Sequence, residues 1–285
     1  MKSRIAGILL LLIVIAAAGG YSLYHTKTQV TTLDGYLGGE KIGLFEDEEV
    51  QGILQKKYHL KFDYAKAGSF DMITADWTNK NYLFPSSQTA LTFYQEQNGK
   101  PLKDEIIFNT PIVLYTHQTV LSALSDKGIV TEESVEKVLP DLQKIFAKLG
   151  YMETSSSDLF NQFIKIGVRA KPIIAGYENQ LLEFAAENPK EYEKIKDDVI
   201  IIYPSPTVWS THVYIALDET GKTGAEALLD DEIQQLAWEK HGFRTNSYDS
   251  VSQGGKGNVT GIAPDITKVT AMPDYATMKC IIDGL

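Results

Sequence analysis

Short clusters of glycine and hydroxyl residues recur where an apolar run of this chain gives way to a helical pattern. They are Gly38-Gly39-Glu40-Lys41, Gly68-Ser69, Pro85-Ser86-Ser87, Thr154-Ser155-Ser156-Ser157 and Pro204-Ser205-Pro206-Thr207. Backbone N–H groups at a helix start have no intrahelical acceptor. Joined by hydroxyls, they bind anionic or polar groups without needing a lysine. A single cluster of this kind is ordinarily a helix cap. Spread over both halves of the chain, five of them point to a shared polar site. Glu40 sets a condition on that site, because a carboxylate in the first loop repels an oxyanion unless Lys41 or a bound cation offsets it.

Catalytic templates fit less well. No His-Glu-x-x-His occurs, and His59, His117, His212 and His241 lack ligand spacing, so no metal site is read from the sequence. The G-x-S-x-G nucleophile elbow is absent. Gly221-Lys222-Thr223 resembles the end of a phosphate loop, but the earlier glycine that such a loop requires falls on Ala216. Ser134-x-x-Lys137, Tyr177-x-Asn179 and Lys222-Thr223-Gly224 reproduce, in order, the three elements of penicillin-recognising serine enzymes. That chemistry needs the serine at the start of a buried helix and the KTG on a strand. Here Ser134 lies in the solvated TEESVEK turn, and KTG is read as a turn. A serine acyl transferase is therefore a remote alternative; the chain is read as a non-enzyme with no cofactor.

The elements that must position these loops read as follows. Glu46 to Tyr58 is predicted helical, with Val50, Ile53 and Leu54 on one face. Leu60, Phe62 and Tyr64 alternate as a half-buried strand does, and Ile106–Tyr115, Val199–Tyr203 and Val213–Leu217 are short apolar strands. A helix is predicted from Thr131, its N-cap, to a stop at Gly150, kinked at Pro140, and a second over Ala225–Lys240, closed by Gly242. Strands alternating with helices predict an α/β fold with mostly parallel sheets. Residues 250–262, rich in glycine, are read as a loop. Trp77 and Trp209 fall close to the predicted cleft loops.

The chain has 285 residues, enough for two lobes or domains, and a formal net charge of −10. No acidic residue precedes Asp34, whereas Lys2, Arg4 and Lys27 do, so the remainder is more acidic still. With no basic run, nucleic acid is excluded as a partner, because phosphate backbones are held by Lys and Arg clusters. Cys280 is the single cysteine, which rules out an internal disulfide and a Cys-based zinc site. It is read as a small apolar side chain in the last element. Lys2 and Arg4 precede an uncharged run, Ile5 to Tyr24, long enough to span a membrane and laid out like a secretory signal, with Ala16 and Ala18 as an A-x-A-like site. Residues 1–24 are expected to be a signal peptide or a membrane anchor, with retention favoured. The domain beyond about residue 30 is expected outside the cytoplasm.

The run GGEKIGLFEDEEVQGILQKKYHLKFDYAKAGSFDM, then FPSSQTA, TPIVLYT, IIYPSPTVWSTHVYIAL and WEKHGFR, resembles bacterial extracytoplasmic solute-binding proteins of the type 2 periplasmic-binding-protein fold. The likeness is to the molybdate, sulfate and phosphate binders of ABC importers, and it spans roughly residues 34–285. It implies a first lobe from 31–113 plus 211–285 and a second from 114–210. Two crossing strands near Ile112–Tyr115 and Tyr203–Val208 would join them, with a solute held between. On this likeness Gly39, Glu40, Lys41, Gly68, Ser69, Ser86 and Ser87 would face the cleft from the first lobe. Thr154, Ser155, Ser156, Ser205 and Thr207 would face it from the second. The implied role is capture of a small polar or anionic solute by a membrane-associated protein whose partner is an ABC permease or another envelope protein. The alternative keeps the fold without transport, as a tethered envelope sensor or assembly subunit.

Overall fold

In the computed structural model, which describes residues 29–119, 144, 155–168, 171–245 and 259–284, alternation in Thr31–Leu37 makes strand β1 and buries Leu33, Gly35 and Leu37. β2 (Leu60–Lys66) and β3 (Tyr82–Phe84) flank β1 in parallel, with Leu33 opposite Phe62 and Tyr36 opposite Leu83. Between β1 and β2, a 3-10 turn (Gly39–Lys41) leads into α1 (Ile42–Glu46) and α2 (Glu48–Tyr58). One helix over Glu46–Tyr58 was the expectation. It is divided at Asp47, whose carboxylate accepts from the N–H groups of Glu49 (2.8 Å) and Val50 (3.1 Å) and so starts α2 afresh. The short α3 (Asp71–Thr74) follows β2, and α4 (Gln88–Asn98) follows β3, capped by Ser87.

β4 (Lys103–His117) decides the architecture. From Lys103 to Pro111 it pairs with β7 (Thr207–Ala216). From Ile112 to His117 it pairs instead with β5 (Ile173–Tyr177) on one side and, from Leu114, β6 (Val199–Ile202) on the other. A single strand thus belongs to both parts of an eight-stranded sheet ordered β2-β1-β3-β7-β4-β5, with β6 on β4 and β8 (Val269–Thr270) on β7. The α/β class is as expected, but the sheet is mixed rather than mostly parallel. β1–β2, β1–β3 and β7–β8 are parallel, and the ladders of β4 and β3–β7 are antiparallel. The reason is connectivity: the chain leaves the first part through β4 and returns through β7, so the two must run in opposite directions.

Three apolar cores follow. Leu33, Phe62, Tyr82, Phe84 and Tyr214 pack on one face of the first part with α1, α2, α8 (Glu219–Leu228) and α9 (Asp231–Glu239). Leu83, Val213 and Ile215 pack on the other face with α4, against which α10 (Tyr275–Gly284) docks through Tyr275, stacked on Phe93 at 4.2 Å. Val113, Tyr115 and Ile174 pack with α5 (Ser156–Ile166), α6 (Glu178–Glu187) and α7 (Pro189–Ile195) in the second part. Val259 and Ile262, from the stretch read as a loop, join this last core.

The expected helix over Ala225–Lys240 is two helices. Lys222-Thr223-Gly224 lies inside α8, neither in a turn nor on the strand that the serine-enzyme template demands. Cys280 sits in α10 but is exposed, not buried, because no residue of that helix is fully covered. The hydrophobic run 5–24, Ser134, Lys137 and the helix expected over 131–149, apart from residue 144, lie outside the described residues. So do 250–258. Among the described residues, no helix is long and apolar enough to cross a membrane.

The break between α8 and α9 is Asp230. Its carboxylate accepts from Glu232 N–H at 2.9 Å, Tyr58 Oη at 2.5 Å and the Lys57 ammonium. Asp230→Ala is expected to cost about 2 kcal/mol, by removing a cap and leaving the Tyr58 hydroxyl unpaired. Asp230→Asn, which can still cap, is expected to cost less. Urea unfolding of the two variants measures the difference, and equal stabilities would show that the cap contributes nothing.

Candidate functional site

Loops at the carboxyl ends of β1, β2 and β3 meet the start of α5 and the end of β5 around a cavity of about 410 Å³. One wall is built by Gly38–Glu40, Lys66–Ser69, Asp71 and Ser86, the other by Ser155, Ser156, Asp158 and Tyr177. Parallel strands bring their carboxyl ends to one edge, and that edge is where open α/β sheets hold ligands. Gly39 lets the walls approach: a Cβ there would lie 2.4 Å from Ser157 Oγ and 2.7 Å from Lys66 Cε.

Behind the first wall sits a charged network with almost no contact with solvent. Lys41 is 0% exposed and Glu40 5%. The Lys41 ammonium donates to Glu40 Oε1, to Ser86 Oγ at 2.7 Å and to His212 Nδ1 at 3.1 Å, and it lies 4.9 Å from the centre of the Phe84 ring. Ser86 Oγ in turn donates to Glu40, and Ser210 Oγ on β7 donates to the Ser86 carbonyl at 2.5 Å. An ammonium can only donate, so Nδ1 of His212 is the acceptor and Nε2 carries the proton. Burial, then the charge of Lys41, holds the His212 pKa well below its ordinary value, so the ring is neutral. Burial lowers the Lys41 pKa, and Glu40 opposes that shift. Burial works to raise the Glu40 pKa, but the Lys41 charge and the hydrogen bonds from Lys41 and Ser86 prevail and bring it to about 2. Lys41 therefore supplies the offset that an anion in this cleft requires of Glu40.

The opposite wall is the first turn of α5. Ser155 is its N-cap residue, yet its hydroxyl makes no cap bond and pairs with Ser157 Oγ at 2.7 Å instead. Among the described residues no side chain caps this eleven-residue helix, whose start, at Ser155 and Ser156, lines the cavity. Tyr177 adds a phenol whose pKa burial and the nearby Glu40 push up. Across the mouth, the Lys66 ammonium donates to Asp158 Oδ2 at 2.8 Å, joining the end of β2 to α5.

Of the residues expected at the cleft, Gly39, Glu40, Gly68, Ser69, Ser86, Ser155 and Ser156 line this cavity. Lys41 lies one layer behind it. Ser87 is occupied as the cap of α4, accepting from Thr89 N–H. Thr154 lies outside the described residues. Ser205 is exposed in the β6–β7 loop, and Thr207 is buried with its hydroxyl donating to the Ile112 carbonyl, so neither reaches the cavity. Trp77 stacks on Tyr94 at 5.3 Å, and Trp209 lines a separate cavity beside β8. Sequence reasoning missed Lys66, Asp71, Asp158 and Tyr177. Lys66 directly precedes the Ala67-Gly68-Ser69 loop and Asp71 follows it one residue later, which was a usable signal.

No family model matches the chain, and no curated protein matches it. Solved structures do. Iron-bound HitA from Pseudomonas aeruginosa superposes with a TM-score of 0.59 at 9% identity, covering 89% of this chain and 99% of that one. The substrate binding protein of an ABC transporter from Agrobacterium tumefaciens gives 0.57 at 12%, covering 90% and 94%. The periplasmic binding protein AfuA from Actinobacillus pleuropneumoniae, with fructose-6-phosphate bound, gives 0.57 at 12%, covering 88% and 96%. The chain has the two-lobed type 2 periplasmic-binding-protein fold.

Removing one partner of a buried ion pair leaves an uncompensated charge. Lys41→Met is therefore expected to destabilise the fold by about 3–5 kcal/mol, and Glu40→Gln/Lys41→Met to recover part of that loss. Denaturant unfolding of both decides it, and a single variant as stable as the double one would refute the pairing. Because the Glu40 pKa falls on folding from an ordinary 4.5 to about 2, its contribution is complete above pH 4.5 and is lost as pH drops toward 2. Melting curves across that window should flatten in Glu40→Gln.

Proposed function

We propose that this chain is an extracytoplasmic solute-binding protein. It captures a small polar or anionic solute between its lobes and presents it to an ABC-type importer. The observation that carries this reading is the cavity of about 410 Å³ with one wall from the loops after β1, β2 and β3 and the other from the start of α5 and the end of β5, lined by glycines and hydroxyl residues. The lobes are taken as 31–113 with 211–285, and 114–210, with Gly39, Gly68, Ser69, Ser86, Ser155 and Ser156 as solute contacts. Two proteins of similar fold are iron-bound HitA and AfuA with fructose-6-phosphate bound, so the fold leaves the cargo open. The chain's own residues narrow it. The start of α5 and Lys66 suit an acidic group, while Asp71 and Asp158 suit hydroxyl or amine donors on the same molecule. The uncharged run 5–24 behind Lys2 and Arg4 supports a retained anchor that holds the domain at the outer face of the membrane.

The test is thermal unfolding of the detergent-solubilised full chain against oxyanions, sugars, sugar phosphates and amino acids. A ligand confined to the folded state adds about 2.7 kcal/mol at 100-fold excess over its dissociation constant, so one class should shift the midpoint selectively. Ser69→Trp and Ser156→Trp, which fill the cavity from opposite walls, are expected to abolish that shift without lowering the unliganded midpoint by more than a few degrees. No shift with any class would overturn the importer reading in favour of a tethered role without a solute.

A further inference from the structure

Beside the cleft, and sharing Gly39 and Glu40 with its wall, lie Glu183 and Glu187, one turn apart on α6, with His241 following α9. One ligand atom from each lies within 4.8 Å of the others, and His241 Nδ1 is 2.7 Å from Glu183 Oε1. Both carboxylates converge over Gly43, where a Cβ would meet Glu183 Oε1 at 2.2 Å and Glu187 Oε1 at 3.3 Å. They open into a cavity of about 280 Å³ whose wall also carries Glu40 and Glu46 and has no lysine or arginine among its described lining residues.

The surroundings are those of a ligating imidazole. His241 is buried, and its second nitrogen, Nε2, has no hydrogen-bond partner and faces Asp47 Oδ2 at 3.5 Å. Metal-bound histidines ordinarily turn their second N–H toward a carboxylate in this way. Gln180, in the same cavity wall and 5% exposed, also leaves its Nε2 unpaired. We propose that Glu183, Glu187 and His241 bind a divalent first-row transition-metal ion of the zinc class. One imidazole nitrogen with two carboxylates is a borderline donor set that such ions accept at about 2.0–2.2 Å.

The ion would also join the two lobes, independently of any solute. Leu181 and Ala185 of α6 belong to the second-lobe core, while Ile233, Ala237 and Phe243 around His241 belong to the first. Gly242 permits this contact: its φ is +69°, and a Cβ there would meet Leu182 Cβ at 2.6 Å.

The experiment uses the detergent-solubilised full chain carrying Cys280→Ser, since that exposed thiol would itself take up zinc. After chelator dialysis, the protein is titrated with Zn²⁺ in competition with a chromophoric chelator, and with Ca²⁺ in parallel by melting temperature. One Zn²⁺ per chain and a raised midpoint are expected, with Ca²⁺ giving neither. Glu187→Gln and His241→Gln should each weaken zinc at least tenfold. Glu187 is exposed, so its variant keeps the fold and separates lost binding from unfolding. No zinc uptake, uptake unchanged in Glu187→Gln, or a preference for Ca²⁺ would each overturn the site.

Discussion

The ammonium of Lys41 is the constraint on which the cleft depends. A charge without solvent exposure must be paired and hydrogen-bonded in every direction. Its partners come from three places far apart in the chain: Glu40 after β1, Ser86 after β3 and His212 on β7. Meeting that demand fixes where two of the three loops of the first wall lie. The Ser86 N–H then donates to Ser69 Oγ at 3.0 Å and brings in the third. The polar groups that face the cavity are positioned by a charge that does not reach it.

A second buried pair does for the junction of the lobes what Lys41 does for the cleft. Arg244, after α9, donates from Nε and Nη2 to the two oxygens of Glu178 at the start of α6, each at 2.7 Å, with both side chains at most 2% exposed. Tyr203 Oη donates to the same carboxylate, and Arg244 also reaches the Ala263 carbonyl. The bidentate geometry resists rotation as well as separation. It lies beside the point where β4 exchanges β7 for β5 and β6, since Asn109 on β4 exchanges backbone hydrogen bonds with Arg244.

Much of the first wall was legible because its chemistry is local. A glycine or serine directly after a strand has few conformational alternatives to a loop at the strand's carboxyl end, so Gly39, Gly68, Ser69 and Ser86 could be placed from sequence. The same reasoning failed at Ser205 and Thr207, because a Pro-Ser-Pro-Thr run looks alike in a cleft loop and in the β6–β7 connection. Whether a side chain faces a cavity or lies behind it is a tertiary property. Lys41 read as a cleft residue and is a buried one. Asp158 was invisible for the same reason, since its partner Lys66 is 92 residues away. The helix breaks were legible but unread: Asp47 and Asp230 each precede acidic residues at a helix start, a recognisable cap signature. Likewise Glu183 and Glu187 are an i,i+4 pair, but nothing in the sequence brings His241 to them.

The distribution of these contacts also bears on how a solute would enter the cleft on the proposed role. At the mouth, Lys66 and Asp158 are 35% and 49% exposed, and a pair so solvated contributes at most about 1 kcal/mol. At the junction, breaking the buried Arg244–Glu178 pair would cost about 3–5 kcal/mol. On the proposed solute-binding role, the walls would separate first at the mouth, at a distance from the end of the mutual β4–β7 pairing at Pro111 and Trp209. An anion entering the opened cleft would meet Lys66 released from Asp158 together with the uncapped N–H groups of α5. Closure over that anion restores the Lys66–Asp158 contact only if the solute leaves Lys66 free, so a solute that takes Lys66 for itself must compensate Asp158 with a donor of its own. On the proposed role, selectivity for a molecule carrying both an acidic group and a donor would follow from that competition.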